Sequence, residues 1–528
     1  MKKTLMTTCL SVFFLASGLA LGGCDFLQSL MQSEPEGGLA YELVGDGYTV
    51  VGRGDCEEGI IEIPSKYKGK PVTAIGANAF QNDIEIGLLT IPDSVTVIGE
   101  SAFDNCINLS GVTMGNGVTV LEDKAFNNCG WLKEITLSES LVNMGDNAFN
   151  GCRNLEEIVF PETLETIGEH AFDYCDGLEN VTFGTSLKEI GSYAFYNCKG
   201  ILEVNIPDGA PTDIKTSAFE NCQKIQYVTL GDSVTNVGNA AFKGVSKLRE
   251  LVIGDSVVSL ADEAFYECKK MYKVTVGSSV TSIGTNAFYH CYAIREIYNR
   301  STLNIVADSE SEAFGLIGEN AYYVRTGKQP SKLSVDEELQ LIYYIDGNKK
   351  VVVGSMFEDY TDVVLPDDVD EIAPRAFYNI DYVRSIDTGD GCKVIGARAF
   401  QNCYHLEKAV IGKSVKTIGL NAFYRNRVLV TVVLKSKLEN GSVGENAFWK
   451  YKRDANGNVE KSAKEFKTLF FEGSSSDWAE TKKAFIITAE KPGNNDLIAN
   501  SKVTIAYYSE TSKSGCWHYV EGVPTLWK

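Results

Sequence analysis

Phenylalanine recurs at positions 80, 103, 126, 149, 172 and 195, a strict step of 23 residues. It continues at 219, 242, 265 and 288 after a one-residue insertion, and returns at 377, 400, 423 and 448. Each sits in one frame, as in Ala171-Phe172-Asp173-Tyr174-Cys175. A fixed step of roughly 20–50 residues restricts a chain to stacked repeats, because equivalent residues must meet on successive turns. The chain is expected to be a solenoid.

One copy shows how a turn is built. Between Cys152 and Phe172 the apolar positions are Leu155, Ile158, Phe160, Leu164 and Ile167, with Gly168 ahead of Ala171. The alternation at Ile158 and Phe160 predicts a short strand with Val159 facing the other way. Pro161 ends it, having no amide to offer a neighbour. Leu164 and Ile167 predict a second short extended segment, and no stretch is long enough for a helical pattern. A single copy has too few apolar side chains to offset the entropy of ordering it, so its stability must come from its neighbours.

The frame C-x-x-L-x-x-I-x-F-P-x-x-L-x-x-I-G-x-x-A-F resembles the leucine-rich repeats of the bacterial BspA-like family, the Treponema pallidum type. The likeness spans about a dozen copies over roughly residues 39–450. It implies a mainly β leucine-rich-repeat solenoid. Glu122, Lys215, Ala261 and Ala373 replace the frame's Gly, which argues against an obligatory positive φ there.

Both ends and the middle depart from the frame. Lys2 and Lys3 precede the apolar run Cys9–Leu21, which is too short to span a bilayer. The run closes on Leu21-Gly22-Gly23-Cys24, which looks like a bacterial lipobox. Residues 1–23 are therefore expected to be a lipoprotein signal peptide, Cys24 the lipidated residue, and 24–38 a flexible tether. Alternating runs about Gly45-Asp46-Gly47 predict a hairpin that caps the first turn, and the pattern recurs about Asp346-Gly347. Two capped arrays in tandem follow: 39–326, a linker at 327–337, and 338–450. Residues 450–467 read as a polar insertion, and 451–528 as an aromatic-rich cap ending in a hairpin about Glu521-Gly522.

Chemistry-bearing residues are sparse. Nine cysteines (106, 129, 152, 175, 198, 222, 268, 291 and 403) share the slot three after Phe, which Val245 and Ile380 also fill. A slot shared with aliphatic residues predicts buried free thiols, not disulfides. Asp83 and Asn426 are the exceptions, each near an array end. No paired Cys-x-x-Cys suggests zinc, four scattered histidines form no set, and no catalytic, phosphate-loop or dinucleotide motif occurs. Neither an enzyme nor a cofactor is expected. A net charge of −21 disfavours nucleic acid as a partner.

What remains is surface. Outward strand positions read Thr113, Thr136, Thr182, Thr229 and Thr275 on one side and Glu134, Glu157, Glu203, Glu250 and Glu296 on the other. Along one sheet these would form an acidic, Thr-rich binding face. Stacked like charges cost stability, so Gln at the five Glu positions should hold or raise it while losing a basic partner. The resemblance implies an exported, lipid-anchored, surface-exposed protein, touching the membrane through its anchor only. It implies adhesion to host matrix proteins or other cells. The alternative is a non-adhesive envelope scaffold or a glycan-binding surface protein.

Overall fold

The repeat step turns into three stacked edges per turn in the computed structural model, which describes residues 38–309, 312–449, 466–485, 503–520 and 523–527. The signal segment, Cys24, most of the tether, the insertion before 466 and the Glu521-Gly522 turn lie outside these residues.

The first edge is the Ala-Phe turn. The Phe172 amide donates to the Ala194 carbonyl at 2.7 Å, and the Phe149 amide to Ala171 at 2.7 Å. The buried rings stack at centroid spacings of 4.9–5.3 Å. The cysteine slot closes the same turn. Each of the nine thiols donates to the carbonyl of the preceding copy's Phe at 3.0–3.4 Å. That bond explains the exceptional Asp83. The first copy has no earlier Phe, and its carboxylate instead accepts Arg53 of the N-terminal cap at 2.6 and 2.9 Å.

The second edge is a sheet of 13 strands. It begins with the hairpin Ala40–Val44/Gly47–Gly52, passes through Lys70–Ile75, and continues in parallel to Ser282–Ile283. The frame's Gly lies just after these strands. A Cβ at Gly168 would come within 2.4 Å of the Gly145 carbonyl carbon, so close stacking, not positive φ, favours glycine there. Positive φ falls instead on two other slots of the turn: the residue before Ala-Phe, as at Ser101 (55°) and Lys124 (57°), and the residue before the cysteine slot, as at Asn105 (62°), Asn128 (56°) and Gly151 (74°). Asn tolerates this conformation, and its side chains bond copy to copy, Asn128 to Asn105 and Asn105 to Asn82 at 2.8 Å each.

The third edge carries the longer strands. They were expected along one sheet, but in the first array they divide into parallel sheets of four, two and six strands. The breaks fall between Glu134–Thr136 and Glu157–Val159, and between Asn180–Thr182 and Glu203–Ile206.

The apolar core separates into a large cluster from Val50 to Ala321, a second that runs mainly from Leu341 to Phe485, and a small third one around Trp517. The second hairpin, Leu341–Asp346/Lys349–Ser355, stands as expected. The stretch expected as a linker differs: Leu333–Asp336 is a strand antiparallel to Leu341–Asp346, since its own Leu333/Val335 alternation has an open edge to pair with.

The aromatic tail extends the second array's outer ladder through Thr468–Phe471, Thr504–Tyr508 and Cys516–Val520, with Val523–Leu526 turning back antiparallel. Trp517 is fully buried there, and its indole donates to the Phe471 carbonyl at 3.1 Å. A short helix, Ser475–Thr481, was not foreseen. Ser474 and Asp477 form its capping box, a signal present in the sequence.

Candidate functional site

The outward positions of the third edge are placed by strand alternation, since Ile158 or Val204 buried inward leaves its two neighbours facing out. Thr113, Thr136, Thr182, Glu134, Glu157 and Glu203 are exposed. Thr229 and Thr275 are half-buried. Trp131, 66% exposed, precedes the strand that carries Glu134, and Val159 is 53% exposed beside Glu157. Neither was singled out as a functional residue from the sequence.

The acidic ladder itself is interrupted. Register places Glu203 beside Tyr227, Tyr227 beside Glu250, Glu250 beside Lys273, and Lys273 beside Glu296. Lys273 bonds Glu250 at 2.9 Å, and the Tyr272 hydroxyl donates to the same carboxylate at 2.7 Å. Opposite charges therefore meet where a row of like charges was expected. Reading every slot, including the non-acidic ones, would have shown this.

Glu296 is the plainest correction. It is 0% exposed and belongs to no open face. The strand Tyr323–Arg325 lies beside its own strand and covers it. Arg325 Nε donates to it at 2.6 Å, and the hydroxyls of Tyr323 and Ser331 donate as well. Burial pushes this carboxyl up, but the three donors outweigh it and hold it below the usual carboxylate range.

Aromatic side chains also gather along the Ala-Phe turns. His170 stacks on Tyr193 at 4.8 Å, and Tyr289 on His290 at 3.9 Å. Among the described residues no cluster of three or more His, Cys, Asp or Glu could hold a metal ion. The repeat thiols are buried, and burial pushes those of Cys129 and Cys175 well above the ordinary thiol range. What the arrangement offers is an outward face running across the sheet breaks. From Leu88–Ile91 to Tyr227–Leu230 it spans six inter-strand steps, roughly 30 Å at about 4.8 Å per step.

A family profile described as "BspA type Leucine rich repeat region (6 copies)" matches residues 73–202, 188–314 and 356–476. No curated protein matches in sequence. Among solved structures, a leucine-rich repeat protein from Bacteroides ovatus is 20% identical, covering 90% of this chain and 100% of its own, with a TM-score of 0.44. The Treponema pallidum leucine-rich repeat protein is 27% identical, covering 41% of this chain and 91% of its own, at a TM-score of 0.32. A leucine-rich cell surface protein from Faecalibacterium prausnitzii is 18% identical, covering 85% of this chain and 97% of its own, at a TM-score of 0.29.

Proposed function

The chain belongs to the BspA-type leucine-rich repeat family, and on that premise we propose that it is an exported, lipid-anchored surface protein that binds protein partners through its first array. The partners are host matrix proteins or the surfaces of other cells. The observation that carries this reading is the open face around Trp131. There Trp131, just ahead of the strand of Glu134 and Thr136, and Val159, beside Glu157, are both exposed. Interfaces take their energy from such aromatic anchors and their on-rate and specificity from the surrounding charges.

The test is a binding panel of purified matrix proteins and whole neighbouring cells. Trp131→Ala should weaken the partner by about tenfold or more, the range of a central anchor. Glu134→Gln, Glu157→Gln and Glu203→Gln together should slow association and flatten its salt dependence. Unchanged affinity in both variants would overturn the assignment of this face. The anchor is tested separately: labelled palmitate should enter the wild type and not Cys24→Ala.

A further inference from the structure

Between the first array's last turns and the second array's first, the chain builds a joint held by a buried arginine that reaches across it. Arg295, 1% exposed, donates to the carbonyls of Tyr292 (2.9 Å), Ile294 (2.7 Å) and Asn320 (2.9 Å) on its own side. Across the joint it donates to Arg375 (3.1 Å), Ala376 (3.4 Å) and Val353. These bonds tie the two arrays to each other. Beside them lies a cavity of about 630 Å³, within the size range of small-ligand sites.

The cavity's four cations, Lys247, Lys269, Lys270 and Arg295, outnumber its three carboxylates, Glu267, Glu358 and Asp381, by one. Lys247 meets Glu358 at 3.0 Å, and Glu267 takes Lys269 at 3.3 Å and His290 at 3.4 Å. Asp381, also on the lining, is exposed to solvent. Lys270 is half-buried, and its ammonium meets no carboxylate within ion-pair distance among the described residues. It donates to the Phe357 carbonyl and stands 5.6 Å from the Tyr382 ring centroid. Burial pushes its amine down to about 8, opposed by Glu358 and reinforced by Lys247 and Arg249. Aromatic rings converge from both arrays: Tyr292 meets Tyr378 edge-to-face at 5.9 Å, and Tyr382 is 38% exposed.

We propose that this junctional cavity binds an acidic saccharide, its carboxylate on Lys270 and its sugar rings against Tyr378 and Tyr382. One uncompensated ammonium matches one carboxylate. A phosphate is usually held by guanidinium forks or clustered backbone amides; here the Arg295 guanidinium spends its donors on backbone carbonyls, which leaves the Lys270 ammonium to meet the ligand. Tyrosine faces accept the C–H face of a sugar ring, and their hydroxyls can bond to its own. The site is separate from the Trp131 face and does not depend on it.

The experiment is titration calorimetry of the full chain with trigalacturonate, and with a neutral galactose trimer as control. The wild type should bind the uronate and not the neutral trimer. Lys270→Met should weaken it at least tenfold, Lys270→Arg should restore most of the affinity, and Tyr382→Ala should weaken it several-fold, with melting temperatures unchanged. Bound carboxylate holds the proton on Lys270, so affinity should be full at pH 6.5 and fall at least tenfold by pH 9.5. The Glu134/Glu157/Glu203 variant should bind the uronate normally. No uronate binding, equal binding by Lys270→Met, or tighter binding of a polyglutamate peptide than of the uronate would overturn the proposal.

Discussion

Glu296→Gln separates what the slot pattern implies from what the structure implies. By pattern alone the substitution relieves a stack of like charges and leaves the fold as stable or more so. In the structure Glu296 is fully buried, and the amide that Gln introduces would face three donors: Arg325, Tyr323 and Ser331. Breaking a buried pair by removing one partner costs about 3–5 kcal/mol. Arg325 keeps its place over the Tyr298 ring at 3.6 Å and its bond to the Gln329 carbonyl, which argues for the lower end, about 3 kcal/mol. Glu134→Gln, on an exposed side chain, should change stability by less than about 0.5 kcal/mol.

Repeat arrays melt in segments, so the readout should be local. Hydrogen exchange at the Tyr323–Arg325 amides should speed up on the order of a hundredfold in Glu296→Gln, at about 1.4 kcal/mol per decade. The effect carries a pH signature. The folded carboxyl lies below its ordinary value of 4.5, so its contribution is full above that pH and drains as pH falls through the folded value. The wild type should therefore lose its advantage over Glu296→Gln in acid. Exchange rates within twofold of each other at neutral pH would refute the buried-cluster argument.

Four further outcomes are expected. Asp83→Ala leaves Arg53 without its carboxylate, so exchange at the first turn, Ile75 to Phe80, should rise by the equivalent of about 2 kcal/mol while later turns stay protected. Cys175→Val forfeits one thiol bond to the Phe149 carbonyl in a slot where Val245 already stands, and urea melts should move by less than about 1 kcal/mol. A disulfide-exchange reagent should leave the repeat thiols of the folded chain untouched and titrate them once it is unfolded. Proteolysis at the exposed tip around Lys328 should yield two fragments that elute as one particle, because Arg295 still bonds across the joint; fragments that part would refute that joint.

The 23-residue step determined the solenoid and its Phe and Cys columns, and local alternation its strands and both starting hairpins. Stacking is a translation, so the neighbour of a residue is the same slot one copy on, and a one-dimensional pattern records it. The thiol bond from Cys175 to Phe149, 26 residues back, is typical of such contacts. The aromatic frame residues carried this information because each is buried against its own copies. The candidate face was legible only as a list of outward slots. Which of those slots are open depended on what lies over them.

Only the tertiary structure decided where translation stops. Glu296 meets Arg325 across 29 residues, Arg295 reaches Arg375 across 80, and Lys247 reaches Glu358 across 111. No repeat relates these pairs, so slot reading counted Glu296 as exposed and passed over Lys270. At a cap or a joint the next copy is missing, and the backbone and charges left open must be satisfied by whatever segment folds over them. That is a matter of where the chain returns in space, which periodicity does not encode.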